Sequence, residues 1–263
     1  MNAQKIMTKP LQYICFLSLL LICFILSLSC PPTTRAEESQ SRIVVEKTMT
    51  SFSQIPGLTE RELEDGRRII ERMNYNSQRI TRRISALPGA NFTQCREIWR
   101  ELESKNASYN QILAFEEWTR LPGATMSLAV QVLRRIKELT REEVKCLRAF
   151  LKISDQQADA FFELIPQIVP MKPSGNFAAR KMFTVQGLRV DRALNNLDFI
   201  NEFTDKQAWA YAAFAETARM EAETATEALP LFQQLRDDAA WNMRTLMKKD
   251  KLNRNAAWRW LIS

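Results

Sequence analysis

Pro-Gly pairs divide the first half of this chain at nearly regular intervals. They occur at 56/57, 88/89 and 122/123, and residues 87–90 and 121–124 both read LPGA. Between the pairs, apolar residues recur at steps of three and four, which is the period of an amphipathic helix. Glycine is otherwise scarce, with 6 in the whole chain. This pattern favours an all-α fold over a sheet.

Each interval between Pro-Gly pairs predicts one long helix. The apolar seam from Leu63 to Leu87 continues without a clear break. A helix of about 28 residues spans about 42 Å, and short links favour antiparallel neighbours. We therefore predict an up-and-down bundle of long antiparallel helices. The interval also suggests the tetratricopeptide repeat, whose period is about 34 residues, but the Trp, Leu-Gly and Tyr positions of that repeat are absent.

The composition along the chain predicts a division into segments. Residues 58–165 are expected to form an N-terminal helical bundle, and residues 177–263 a C-terminal helical hairpin that packs on it. Residues 166–176 hold three prolines and a glycine, so we expect that no helix crosses them and that they form a boundary or a functional loop. Residues 37–57 are interpreted as a tether, with a short strand or an extended packed segment as the alternative.

Four pairs of residues have the spacing of a capping box, in which an N-terminal hydroxyl and a later carboxylate or amide each satisfy a free backbone amide. They are Thr59/Glu62, Thr140/Glu143, Ser154/Gln157 and Thr204/Gln207. The stretches at Thr59, Ser154 and Thr204 bear a superficial resemblance to LTxxQ-type periplasmic stress proteins, which would imply a chaperone or stress sensor. Helix capping explains the same residues without common ancestry.

The stretch 11–30 carries no charged residue from end to end. Lys5 and Lys9 precede it, and small residues at Thr34 and Ala36 follow at the positions that a signal peptidase reads. We predict an exported protein, periplasmic or secreted, whose leader (residues 1–36) is cleaved after Ala36. The alternatives are a membrane anchor through residues 11–30 and a lipoprotein acylated at Cys30.

The leader contains three of the five cysteines, which leaves Cys95 and Cys146. In an oxidising compartment, two remaining cysteines most simply form a disulfide. The alternative is two thiols that are buried separately.

The absence of histidine limits the chemistry of the chain. It excludes His-based acid–base catalysis, Ser/His and Cys/His nucleophile pairs, and the commonest ligand for zinc or copper. We expect no cofactor, no metal and no catalytic residues. The net charge of +7 falls to +4 when Lys5, Lys9 and Arg35 are removed with the leader, so a nucleic-acid partner is not expected.

One carboxylate pair, Glu116 and Glu117 beside Trp118, could in principle act on a glycosidic bond. Adjacent side chains on a helix point about 100° apart, so the two cannot face one bond. A solvated helix face is the favoured interpretation.

The C-terminal tail combines cations with tryptophans. Its candidate contact residues are Lys248, Lys249, Lys251, Arg254, Trp258, Arg259 and Trp260. Such a mixture suits an anionic membrane surface or a protein partner in the envelope. A terminal helix that packs both tryptophans on the bundle is the alternative.

These observations predict an exported, non-catalytic helical protein that binds or scaffolds in the cell envelope. A periplasmic chaperone or stress sensor of helical-hairpin type is one alternative. A carboxylate-dependent envelope enzyme is the other.

Overall fold

The computed structural model describes residues 35–103, 107–217, 220–249 and 254–262. Within these ranges every regular element is an α-helix, and one isolated bridge joins Gln186 to Glu221. The all-α prediction is therefore confirmed. The chain divides into two compact units, residues 1–46 and 47–263. The predicted export segment 11–30 lies outside the described residues.

The described helices are short, and none of them has the length and hydrophobicity to cross a membrane. In chain order they are α1 (Arg35–Phe52), α2 (Glu60–Arg72), α3 (Tyr75–Ser85), α4 (Phe92–Glu103), α5 (Tyr109–Trp118), α6 (Met126–Glu138), α7 (Arg141–Phe150), α8 (Ala160–Ile168), α9 (Pro173–Met182), α10 (Val190–Asn195), α11 (Leu197–Asn201), α12 (Asp205–Ala215), α13 (Ala222–Glu227), α14 (Leu229–Gln234), α15 (Asp237–Lys249) and α16 (Arg254–Ile262).

The helices alternate in pairs that recur at a nearly constant spacing along the chain. The second helix of each pair, here called the B helix, begins at residue 75, 109, 141, 173, 205 and 237. These B helices are α3, α5, α7, α9, α12 and α15, and the helical segment before each one is the A helix of the same repeat. We number the repeats 1 to 6 in chain order. Each B helix contacts the next, so the pairs stack in a row as in an α-solenoid.

The predicted single long helices are wrong, because each interval is divided in two. In repeat 1, α2 ends at Arg72 and Met73 adopts an extended backbone. Asn74 then caps α3, since its side-chain oxygen accepts a hydrogen bond from the Ser77 amide at 2.9 Å. The tetratricopeptide sequence pattern is absent, but the helix-pair period that it suggested is present in the structure.

Glycine in a left-handed conformation turns the chain between repeats. Gly57, Gly89, Gly123 and Gly187 have φ between 77° and 81°, a region that other residues rarely adopt. The turns are also bonded to one another. The Pro88 carbonyl accepts from the Met126 amide at 3.0 Å, and at the next turn the Ala158 amide donates to the Pro122 carbonyl at 2.9 Å.

The core is built from positions that repeat along the row, beginning with the last turns of α1. One B-helix position is fully buried in successive helices, and it is occupied by Phe52, Ile84, Trp118, Phe150, Met182 and Phe214. The position four residues earlier is also fully buried and is occupied by Thr48, Ile80, Ala114, Cys146, Ala178 and Ala210. Leu246, at the first of these positions in repeat 6, is 37% exposed, since no further B helix follows α15 in the described part of the chain.

The predicted disulfide is absent, because Cys95 and Cys146 are free thiols buried in different parts of the core. Cys95 lies on α4, which packs on α3 and α6, whereas Cys146 lies on α7, which packs on α5, α8 and α9. Burial raises the pKa of the Cys95 thiol to about 12 and raises that of Cys146 as well. The structure therefore has the alternative arrangement of two separately buried thiols.

Two predicted irregular segments are partly helical. The predicted tether (residues 37–57) is helical as far as Phe52, since Thr48 and Phe52 occupy the two buried positions that recur in the B helices. In the predicted proline-rich loop (residues 166–176) only residues 169–172 are irregular, so no helix crosses the segment, but both of its ends are helical. Pro166 lies inside α8, and Pro173 begins α9, where its missing amide proton costs nothing.

Three of the four predicted capping boxes are confirmed, at Thr59, Thr140 and Thr204. The box at Ser154 is wrong, because residues 151–159 form turns and α8 begins only at Ala160. The C-terminal tail, for which a terminal helix was the alternative, contains the helix α16.

Candidate functional site

The structure describes only part of the C-terminal surface predicted for membrane or partner contact, so this stays a prediction. Lys248 and Arg259 are exposed. Lys251 lies outside the described residues, and only the backbone is described for Lys249, Arg254 and Trp260.

Trp258 is half-buried in α16. Its ring centroid lies 6.4 Å from that of Phe214, a fully buried residue of α12. This contact corresponds to the alternative in which the terminal helix packs on the rest of the fold.

A different set of aromatic residues forms a row across the last three B helices. Phe177, Trp209 and Trp241 are each the fifth residue of their helix, in α9, α12 and α15. Trp209 is 38% exposed and Trp241 is 43% exposed, while Phe177 is half-buried. The ring centroids of the two tryptophans are 6.4 Å apart. We call these three residues the aromatic row.

Cations lie over the rings of the aromatic row. The Arg244 guanidinium carbon is 4.8 Å from the Trp241 centroid and 5.4 Å from the Trp209 centroid. The Arg180 guanidinium carbon is 4.9 Å from the Phe177 centroid. At these distances each cation is attracted to the electron-rich face of its ring. These contacts hold the arginine side chains beside the row.

The two arginines have no acidic partner within the described part of the chain, where neither forms an ion pair. Lys181, which also lies near Phe177, differs because it is paired with Glu216, the residue that follows α12. A guanidinium stacked on a ring keeps its N–H edges available for a carboxylate or phosphate.

A groove of about 350 Å³ runs along the start of the row. It is lined by Glu142, Pro173, Ser174, Phe177, Asp205 and Trp209. Its acidic groups already have partners in the protein. Glu142 pairs with Lys145 at 2.6 Å, and Asp205 accepts a hydrogen bond from the Ser174 hydroxyl at 2.5 Å.

The carboxylate pair Glu116 and Glu117 is not the solvated face that the sequence predicted. Glu116 is only 3% exposed, and it binds Arg79 at 2.6 Å and Arg120 at 2.5 Å. Glu117 binds Arg148 through two hydrogen bonds, at 2.8 and 3.0 Å. Because Arg79 and Arg148 belong to the repeats on either side, these pairs connect adjacent repeats.

A second groove, of about 460 Å³, lies along α8. It is lined by Arg135, Phe161, Phe162, Ile165, Pro166, Val169 and Pro170. Phe162 and Val169 are among the exposed apolar residues.

Sequence reasoning missed the aromatic row, although its spacing is visible in the sequence. Phe177, Trp209 and Trp241 are evenly spaced, and the step between them equals the step between the B helices that carry them. In repeats 1 to 3 the fifth residue of the B helix is Arg79, Leu113 and Lys145. The aromatic character is thus confined to the second half of the row of repeats.

The fold and this surface define a helical repeat protein with an aromatic and cationic face. Among the described residues, no three acidic or cysteine side chains are grouped in a way that could hold a metal ion. No protein-family model, curated protein or solved structure matches the chain.

Proposed function

We propose that this chain is an exported, non-catalytic repeat protein that binds a protein partner in the cell envelope through the aromatic row. Trp209 and Trp241 stand at equivalent positions of adjacent repeats and are 38% and 43% exposed, and this observation carries the proposal. Tryptophan and arginine are the residues that most often dominate the energy of protein interfaces. Stacked repeats present extended surfaces that suit this role.

The proposed location follows from the sequence. The uncharged stretch 11–30 and the small residues before position 37 support export, and cleavage after Ala36 would release the chain into the periplasm or the medium. Fractionation of cells that make the protein tests this point. Recovery of the uncleaved chain in the cytosol would contradict export.

The binding proposal is tested by capture of partners from native envelopes. The bait proteins are the wild type, a Trp209→Ala/Trp241→Ala double variant and a control. Loss of two large aromatic anchors is expected to weaken capture at least tenfold. The control is Tyr75→Ala/Tyr109→Ala, because these tyrosines are 58% exposed at the first residue of α3 and α5.

The control distinguishes a specific site from general stickiness of exposed rings. A partner that is retained by the tyrosine variant and lost by the tryptophan variant supports the proposal. Equal capture by all three baits would refute it, provided that circular dichroism shows the same helix content in each.

A further inference from the structure

We propose that the aromatic row binds an extended acidic peptide segment of the partner, with an apolar side chain at every second residue. This inference rests on the proposed function and adds the chemical class of the partner. Three features of the face support it: its charge, its spacing and the direction of its polar edges.

The charge of the face favours an acidic ligand. Arg180 and Arg244 lie on the rings of the row and have no ion pair with any described residue. An Arg–carboxylate pair can form two parallel hydrogen bonds through the guanidinium edge while its face remains stacked on a ring. A ligand carboxylate is therefore the group that these two side chains can accept.

The spacing of the row favours an extended chain. The ring centroids of Trp209 and Trp241 are 6.4 Å apart, and each B helix of repeats 4 to 6 contributes one ring. An extended peptide advances about 3.3 Å per residue and its side chains alternate between two faces, so side chains on one face recur about every 6.6 Å. A peptide that crosses α12 and α15 would thus bring every second side chain to a ring.

The polar edges fix how the peptide would lie. Glu142, Asp205 and Asp237 stand at the first or second residue of their helices, on one side of the row. Arg180 and Arg244 stand three residues beyond the rings, on the other side. Because carboxylates repel carboxylates, the acidic residues of the peptide are expected to face the arginine side.

The test uses three synthetic nine-residue peptides, capped at both ends, and the purified protein. The first has Leu at every second residue and Glu elsewhere, the second has Lys in place of Glu, and the third has the first composition in scrambled order. Binding is measured by isothermal titration calorimetry at low and high salt. The acidic periodic peptide is expected to bind at least tenfold more tightly than either of the others, and more weakly as salt rises.

The variants assign the charge selectivity to the two arginines. Arg180→Gln/Arg244→Gln is expected to weaken the acidic peptide at least tenfold. The matched control is Arg192→Gln, an exposed arginine of α10 away from the row, and it is expected to bind as the wild type does. Equal binding of the Lys peptide, or no effect of the double variant, would overturn the inference.

The outcomes separate this inference from the proposed function. If no acidic peptide binds but the Trp209→Ala/Trp241→Ala variant still loses its envelope partner, only the peptide class is wrong. If vesicles of anionic phosphatidylglycerol bind in place of the peptides, and Arg180→Gln/Arg244→Gln releases them, the ligand is a lipid surface and the inference fails. If the Trp209→Ala/Trp241→Ala variant captures the envelope partner and binds the acidic peptide as the wild type does, both proposals fail.

Discussion

At the scale of single residues, the structure explains both free cysteines through the repeat. Cys146 shares its fully buried position with Ala114 and Ala178 of the neighbouring B helices. Cys95 occupies the A-helix position that holds Ala129 in repeat 3. Each thiol therefore acts as a small core side chain between packed helices, a role in which cysteine resembles a small apolar residue.

The two thiols are expected to be unreactive in the native protein. The pKa of Cys95 is raised to about 12 and that of Cys146 is raised too, so both remain protonated from pH 7 to 9, and the thiolate is the reactive form. Alkylation by iodoacetamide, followed by mass spectrometry of the protein without its leader, should label neither cysteine in buffer and both in denaturant. Two labelled sites in buffer, or a disulfide in oxidised protein, would contradict the structure.

Gly66 is the glycine whose replacement the core cannot accept. A Cβ built on Gly66 in α2 would lie 2.3 Å from the ring of Phe52. Gly66→Ala is expected to lower the free energy of unfolding by about 1–3 kcal/mol, because the overlap outweighs the gain of up to about 1 kcal/mol in helix propensity. Urea unfolding followed by circular dichroism measures the change.

Gly175→Ala is the matched control for this prediction. Gly175 is also helical, in α9, but its nearest neighbour would be the Met171 Cβ at 3.6 Å, an ordinary contact. This variant should be neutral or more stable than the wild type. A stabilising Gly66→Ala would show that Phe52 does not pack against α2.

At the scale of helices, one glutamine in α5 and one in α12 connect their B helices to the following repeat. Gln207 accepts a hydrogen bond from the Thr204 amide and so caps α12. Its amide also donates to the carbonyls of Gln233 and Leu235, at the end of α14, at 3.0 and 2.7 Å. Gln111 in α5 forms the same bonds with the carbonyls of Lys137 and Leu139. One side chain thus stabilises a helix start and a contact between repeats.

Gln207→Glu separates these two roles. The carboxylate can still cap α12, as Glu143 does in α7, but it cannot donate to the two carbonyls. The free energy of unfolding is expected to fall by about 1–3 kcal/mol, because two partly buried acceptors lose their donor. Urea unfolding of the variant measures the loss.

The control for Gln207→Glu is Gln167→Glu. The Gln167 amide bonds only to the Glu163 carbonyl of its own helix. Its replacement should change stability by no more than about 0.5 kcal/mol. Equal effects at both positions would argue against a connection between repeats through Gln207.

The sequence predicted the helical class and three helix starts, but it did not reveal the helix pairs. The capping boxes at Thr59, Thr140 and Thr204 have both of their partner residues, so they could be recognised. Asn74 caps α3 without a Glu or Gln three residues later. Because only Met73 and Asn74 separate α2 from α3, the apolar spacing continued across the break and predicted a single helix.

The turns and the surface were harder to predict for physical reasons. Pro-Gly marks the first three turns, but Ser154-Asp155 and Gln186-Gly187 stand in the later ones, so the period was hidden in the second half. A tryptophan in a helix usually packs in the core, and only the folded B helices show that Trp209 and Trp241 are exposed.

At the scale of the whole molecule, stability should depend on the row of repeats. In stacked repeat proteins each repeat is stabilised mainly by its neighbours. The B helices of this chain contact one another in sequence from α3 to α15. The ion pairs between Arg79 and Glu116 and between Glu117 and Arg148 also link neighbours. We therefore expect that deletion of a complete repeat lowers the stability of the protein less than deletion of part of a repeat.

Excision of residues 155–186 tests the repeat as a unit of folding. It joins Ser154 to Gly187, which restores the turn glycine that the earlier turns have, and it places repeat 3 beside repeat 5. The shortened chain should keep its helix content per residue and a single unfolding transition, at lower stability. Excision of residues 155–170 removes half as many residues but deletes an A helix and leaves α9 without its partner. Circular dichroism and urea unfolding should show that this smaller deletion destabilises the protein more, since it interrupts the alternation of A and B helices. The opposite ranking of the two deletions would mean that the helix pair is not the unit of stability.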